Sequence, residues 1–322
     1  MKKVLVTGGV GYIGQHVVLA LLDHGYEVTI IDKKAAEPGR LTPQALKPAK
    51  LIRGDLQDTA NMFSLIARNE FDTIIHLAAS TSVPESIVNP SLYYVNNILP
   101  LLNMLQHCGA YGVRNFIFAS SAAVYAKDSE IGREGDTPAP SSPYGVTKAV
   151  GEQIIRDIGK QTGLRSAALR FFNVAGNDPE MRVGNTSHDY TSVIRALARA
   201  AATGEPFTIY GTGLQMRDYI HVSDVAEAIL LTLWHLENSE PKHLTANVCR
   251  GMPKTIKDLV RIASDIAPNL KVVFGQERLG DVKSMIGTTP TLHDLGWMQR
   301  RNTYSIIKTA IEWERHLLER KA

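Results

Sequence analysis

Short apolar runs and helical stretches alternate along the first half of the chain. Lys3–Thr7, Glu27–Ile31, Lys50–Arg53, Asp72–Leu77 and Asn115–Ser120 are strand-length runs rich in Val, Ile, Leu and Phe. Between them, Tyr12–His24 (stopped by Gly25), Asp58–Asn69 and Ser91–Tyr111 carry apolar residues at helical spacing. Strands alternating with helices predict βαβ units, because a parallel strand is reached only by a crossover. Runs without polar alternation imply strands buried on both faces, so helices should cover both sides of the sheet.

Pro138, Pro140 and Pro143 mark a loop that ends where a helix starts, from Tyr144 to about Gln161, and Leu164–Phe172 reads as a sixth strand. Beyond Gly176 the rhythm breaks. A polar stretch, Asn177–His188, precedes a helix over about Ser192–Thr203 and a short strand, Phe207–Tyr210. Val222–His235 reads as a helix able to return to the first unit, and helices follow near Thr255–Ile266 and Ser305–Leu318. At 322 residues the chain exceeds the roughly 250–300 at which one core stops growing. The predicted division is a larger domain over 1–175 plus about 216–250, and a smaller one over about 176–215 plus 251–322.

Composition narrows the classes of function only slightly. With 44% hydrophobic and 21% charged residues the chain has material for a full core. A net charge of +3, with no basic stripe interleaved with aromatics, gives no support to nucleic-acid binding. Two cysteines, Cys108 and Cys249, without a C-x-x-C pair, argue against a disulfide framework or structural zinc. No His/Asp/Glu set has metal-ligand spacing. His76 and His221, in or beside apolar strands, read as structural; His16 and His24 read as surface residues; Cys108 reads as buried. The amino terminus enters a strand rather than a signal sequence, and no run approaches about 18 apolar residues. A cytoplasmic protein is the expectation.

The candidate chemistry begins at Thr7-Gly8-Gly9-Val10-Gly11-Tyr12-Ile13-Gly14, between the first strand and the first helix. A backbone that turns this tightly and approaches a pyrophosphate closely leaves no room for Cβ atoms. The helix start then offers unpaired N–H groups to the phosphates. Asp32, at the tip of the second strand, suits the hydroxyls of an adenosine ribose and repels a 2′-phosphate, which favours NAD over NADP despite Lys33 and Lys34. The fold class is therefore a doubly wound, Rossmann-type parallel sheet with a smaller C-terminal α/β substrate domain.

Tyr144-Gly145-Val146-Thr147-Lys148 places a tyrosine and a lysine at i and i+4 on one helical face. A free tyrosine has a pKa of about 10 and is a poor base at neutral pH. A neighbouring ammonium and the positive nicotinamide of NAD⁺ should both lower it, allowing removal of a hydroxyl proton while hydride leaves the same carbon. Ser121, at the end of the fifth strand, is positioned to orient that hydroxyl.

Together these segments resemble the extended short-chain dehydrogenase/reductase family over nearly the whole length. TGGVGYIG at 7–14, GDL at 54–56, IIHLAA at 74–79, SSAAVY at 120–125 and PYGVTK at 143–148 carry the similarity. RFFNVAG at 170–176, RDYIHVSDVAEA at 217–228 and RLGD at 278–281 extend it, and are most similar to nucleotide-sugar 4-epimerases of the UDP-glucose/UDP-galactose type.

The resemblance implies NAD as cofactor and a UDP-hexose as substrate, inverted at C4 through a transient 4-keto sugar. Tyr144 would be the base, Lys148 would tune it and hold the nicotinamide ribose, and Ser121 would orient the sugar. Gly8, Gly11, Tyr12, Ile13, Gly14, Asp32, Asp55, Leu56, Leu77, Ala78, Ala79, Thr81, Asn96 and Phe172 would line the cofactor site with Tyr144 and Lys148. Asn173, Val193, Tyr210, Arg217, Arg278 and Asp281 would hold the nucleotide diphosphate, and Met285 would act as a gate beside the sugar. A homodimer formed through the helices near Ser91–Tyr111 and Tyr144–Gln161 is also implied.

Three positions depart from the epimerase pattern. Thr81 replaces a common lysine, His188–Ile194 lacks the usual asparagine or histidine followed by leucine, and Met285 is neither small nor bulky. They leave the sugar open. A 4,6-dehydratase would need an acid and a base where Ala122 and Ala123 stand. A 4-ketoreductase would use the same triplet and stays open, whereas a non-catalytic dinucleotide sensor has no need of Ser121, Tyr144 and Lys148 together.

Overall fold

The structure is a computed structural model that describes residues 2–35, 43–127, 129–187, 189–238, 243–276 and 284–320. Strands β1 (Lys3–Thr7), β2 (Glu27–Asp32), β3 (Lys50–Arg53), β4 (Thr73–His76) and β5 (Asn115–Ser121) alternate with helices α1 (Tyr12–Asp23), α2 (Thr59–Asn69), α3 (Val83–Val88) and α4 (Pro90–Cys108). The short β6 (Ile131–Gly132) precedes α5 (Pro143–Thr162), β7 (Arg165–Phe171) and β8 (Asn173–Ala175). Then come α6 (Val193–Thr203), β9 (Phe207–Tyr210), β10 (Met216–Arg217), β11 (Tyr219–His221), α7 (Val222–Asn238) and β12 (His243–Val248). The chain closes with β13 (Lys254–Thr255), α8 (Ile256–Ile266), β14 (Val272–Gly275), β15 (Ser284–Gly287), α9 (Pro290–Asp294) and α10 (Thr303–Glu319).

Seven strands form one parallel sheet in the order β12-β7-β5-β4-β1-β2-β3. Alternate residues of each strand enter opposite cores, as the two-residue strand period requires. Val4, Val6, Ile30, Ile75, Ile117 and Leu169 pack under α1 and α7, where Val17, Val18, Leu21, Val225, Ile229 and Leu233 meet them. Their neighbours Leu5, Ile31, Ile74, Phe116, Phe118 and Ala168 pack under α2, α4 and α5, against Met62, Ile66, Leu101, Met104 and Ile155. Both faces are dry, which is why these strands read as continuous apolar runs. A separate core joins α6, α8 and α10 to β9 through Ile194, Leu197, Phe207, Leu259, Ile306 and Ile311.

The sheet order reverses between β1 and β4, and at such a switch point the strand ends splay to leave a crevice. The turn after β1 is tight enough to demand glycine. Gly8 has φ +70°, and a Cβ on Gly14 would lie 2.3 Å from the Gly8 carbonyl oxygen. Helix α1 therefore begins at the crevice, with Gly11 as its N-cap and no side-chain cap. Helix α5 begins beside it. Its N-cap Ser142 accepts a hydrogen bond from the Gly145 amide, and Pro143 occupies the first turn.

Several features differ from the expectations, among them the unanticipated edge strand β12. His16 is buried (3% exposed), not on the surface, because α1 turns that face into the molecule and its ring bonds the Tyr12 carbonyl at 2.8 Å. Helix α3 and the β8–β11 ladder were not anticipated, being six and three residues long and too short for periodicity to register.

Candidate active site

A cleft of about 1080 Å³ runs from the ends of β1 and β2, past β4 and β5, to β9 and β10. Within the described residues, every site residue expected from the sequence lines this cleft, with one exception. Met285 packs against the small apolar cluster of Phe172, Tyr125 and Cys249, of which Phe172 lines the cleft. Arg278, Asp281 and His188 lie outside the described residues.

At one end stand the glycine turn, the uncapped α1 start and Asp32. The Asp32 carboxylate accepts from the Val10 amide at 3.3 Å and the Lys34 amide at 2.9 Å. Gly11 presents its bare α-carbon to the cleft, where a Cβ would meet only the Gly8 oxygen, at 3.1 Å. A backbone wall without side chains, a helix start with amides free of any side-chain cap and a carboxylate acceptor fit a dinucleotide's pyrophosphate and ribose. Tyr12 contributes to this wall through its backbone and ring, since its hydroxyl is committed to the Gly176 carbonyl at 2.5 Å. Asn96 is fixed by Ser80 and Gln57, at 3.0 and 2.8 Å, and Asn97 holds the Ser80 amide at 2.8 Å.

The catalytic candidates meet in the middle. Ser121 ends β5, and its Oγ accepts from the Ala123 amide at 3.1 Å. Tyr144 and Lys148 come from the first two turns of α5, which crosses behind it. Lys148, 4% exposed, donates to the Ala119 carbonyl at 2.8 Å and sits 4.8 Å from the Phe118 ring centroid and 5.9 Å from that of Tyr144. Tyr93 meets the Tyr144 ring edge to face at 6.4 Å and donates its hydroxyl to Glu85 at 2.7 Å.

Burial raises the Tyr144 phenol above its ordinary range, and a hydrogen bond with Ser121 opposes this. Burial acts on the lysine as well, pushing Lys148 down to about 7, with Glu152 opposing. Burial thus penalises the charged form of each group. His76 is held well below its ordinary value, at about 3, by burial and by the Lys148 charge; it bonds Thr7 at 2.9 Å and is structural, as is buried His221.

The far end is assembled from separated segments: Asn173 on β8, residues 189–193, Tyr210, Gln215 and Arg217. Buried Arg195 and Glu314 anchor it. Arg195 donates to Glu314 at 3.3 Å, to the Asn185 side chain at 2.8 Å and to the Asp189 carbonyl at 3.3 Å, under the Tyr190 ring at 4.5 Å. Trp313 donates to the Asn185 carbonyl at 2.9 Å. The Arg217 guanidinium makes one described hydrogen bond, to the Met216 carbonyl at 2.8 Å, leaving donors for a diphosphate. Among the described residues no His/Cys/Asp/Glu group has the geometry of a metal site.

Sequence reasoning missed Ser80, Gln57, Glu85, Asp189, Gln215 and Glu152. Only Glu152 had a usable signal, standing four residues after Lys148 and eight after Tyr144 on one helix face.

Residues 4–249 match the NAD dependent epimerase/dehydratase family. The UDP-glucose 4-epimerase of Azospirillum brasilense is 35% identical, across 98% of this chain and 92% of that protein. A UDP-glucose 4-epimerase from Stenotrophomonas maltophila, solved with bound NAD and formylated UDP-arabinopyranose, superposes with a TM-score of 0.91 at 27% identity, covering 100% of both chains. A UDP-glucose 4-epimerase from Thermotoga maritima, solved with UDP-glucose, gives 0.86 at 29% identity, covering 98% of this chain and 99% of that one.

Proposed function

The chain belongs to the NAD dependent epimerase/dehydratase family, and on that premise we propose that it inverts C4 of a UDP-hexose of the glucose/galactose type. The observation that carries this reading is the meeting of Ser121, Tyr144 and Lys148 midway along one cleft, between a dinucleotide-shaped end and an arginine-bearing end. The names of the relatives and the NAD and UDP-sugars in the solved neighbours support it.

The glycine turn, Asp32, Asp55, Leu56, Leu77–Ala79, Thr81, Asn96 and Phe172 hold NAD, which supplies a reversible hydride acceptor when bound. Tyr144 takes the proton of the sugar 4-hydroxyl as that carbon becomes a ketone, and returns it when the opposite face is reduced. Ser121 holds O4 toward the phenol, and the Lys148 ammonium stabilises the phenolate while it bears the charge. Asn173, Val193, Tyr210 and Arg217 hold the nucleotide diphosphate, with Arg278 and Asp281 assigned to the same task by sequence.

The active form is a cytoplasmic homodimer. Leu92, Val95, Leu99 and Leu102 on α4 and Val150 on α5 are 39–46% exposed and form an apolar stripe across the two helices named for the interface. A sedimentation mass of one chain would refute the dimer. Among the described residues no helix is long and apolar enough to cross a membrane.

The deciding experiment is anomeric proton NMR of the purified protein with UDP-glucose and no added cofactor. UDP-galactose should appear from enzyme that releases NAD on denaturation. Retained NAD without conversion would overturn the choice of sugar, and no NAD with no conversion would overturn the epimerase reading in favour of a ketoreductase.

A further inference from the structure

At the far end of the cleft one buried residue joins four separated stretches of chain. Asp218 stands between β10 and β11 and is fully buried. Its Oδ1 accepts from the Arg250 amide at 2.9 Å, and its Oδ2 accepts from the Gly251 amide at 2.8 Å and the Gly287 amide at 3.2 Å. Its main chain is engaged as well. The Asp218 carbonyl accepts from the Asn173 amide at 3.1 Å and from the Asn173 side chain at 3.0 Å, and its own amide donates to the Met285 carbonyl at 3.3 Å.

The cradle around the carboxylate is built for close approach. Gly251 has φ +71°, in the region that favours glycine, and a Cβ on Gly287 would lie 2.6 Å from Cys249 Sγ and from the Phe172 ring. Backbone amides turned toward one point make an anion site, and this one holds a side chain of the same protein. Burying a carboxylate is costly unless its lone pairs are satisfied, and an apolar residue would fill the same space. What Asp218 adds is its place. Arg217, next to it, carries the guanidinium donors left for a diphosphate. Strand β10 is only two residues long, so few ladder bonds with β13 and β15 hold Arg217 in register. Arg250 and Gly251 follow β12, the edge strand of the seven-stranded sheet.

We propose that Asp218 is a positioning residue for binding of the nucleotide diphosphate: its carboxylate locks Arg217 to the edge of the seven-stranded sheet, and so fixes where the guanidinium meets the diphosphate relative to the catalytic triplet. The Arg195–Glu314 pair does not do this work. Its described bonds run to Asn185, Asp189, Tyr190 and Arg199, on the other side of the same end. Asp218 is the side chain that ties the Arg217 side of the wall to the sheet carrying the dinucleotide end.

This inference rests on the proposed nucleotide-sugar reading, and the experiment separates the two. UDP alone is titrated by calorimetry into the purified, NAD-bound protein. Asp218→Asn keeps the size but turns a donor toward an amide, and should weaken UDP binding about tenfold to a hundredfold, as for loss of a hydrogen bond to a charged group. KM for UDP-glucose should rise with it while kcat changes less and NAD stays bound, a split that general loosening of the fold would not give. Because the carboxylate acts through Arg217, Asp218→Asn/Arg217→Ala should bind UDP within about twofold of Arg217→Ala alone. Losses that multiply in the double variant overturn the proposal. Should Asp218→Asn fail to fold, hydrogen exchange of the wild-type Arg250, Gly251 and Gly287 amides decides: UDP should slow all three, and unchanged rates overturn it. Absence of UDP binding by wild type overturns the nucleotide-sugar reading and this inference together, whereas equal binding by wild type and Asp218→Asn overturns this inference alone.

Discussion

The two ends of the cleft are built by opposite means. At the dinucleotide end the wall is backbone: a glycine turn, a helix start without a side-chain cap and strand ends packed so closely that a Cβ on Gly14 would overlap Gly8 and Gly9. At the far end the wall is a set of irregular segments, held from behind by the Arg195–Glu314 pair, Tyr190 and Trp313. The first end is thus vulnerable to added atoms and the second to removed ones. One is fixed by sterics, which penalises added atoms; the other is fixed by polar anchors set behind the lining residues.

The largest expected effect lies where the ends meet. Tyr144→Phe removes only the proton acceptor, so turnover should fall by about 10²–10⁴-fold while NAD stays bound. Near-normal conversion by NMR would remove Tyr144 from the mechanism. Next is subtraction at the far end. Glu314→Gln leaves Arg195 as an uncompensated buried charge, and should cost about 3–5 kcal/mol in urea unfolding. A change below about 0.5 kcal/mol, as for a surface substitution, would show that the pair does not anchor this wall. Smallest is addition at the dinucleotide end. Gly14→Ala forces a methyl against backbone that cannot yield, and overpacking of this kind costs about 1–3 kcal/mol. Its mark should be loss of NAD from the purified protein, and a full cofactor complement in Gly14→Ala would contradict the steric account.

The same contrast explains what could be read from the sequence. The strand and helix spans of the first half and the Tyr144/Lys148 pair each occupy a continuous stretch whose physics is local, and the structure places them where the periodicity put them. The far end was named through resemblance to relatives, since nothing local connects Arg195 to Glu314 or Asn185 to Trp313. Met285, assigned to the sugar, packs against the cluster around Phe172, a contact that no local pattern announces. The burial that raises the Tyr144 phenol was hidden for a similar reason. Helical spacing placed Lys148 next to it, but the depth of burial that works against both charges is a property of the packed sheet.

The path of the chain through the sheet carries one more consequence. Strand β12 pairs with β7 along His243–Val248, and α7 covers the Val17, Val18 and Leu21 face of α1, yet both follow α6, β9, β10 and β11 in sequence. No single cut therefore separates a working dinucleotide module from the rest. A chain ending after β8 would leave β7 as a bare hydrophobic edge and half of α1 exposed to solvent. The protein is modular in its chemistry and indivisible as a piece of polypeptide, so any exchange of its substrate end must be made as one insertion between β8 and β11 and one replacement after β12, rather than as one fusion.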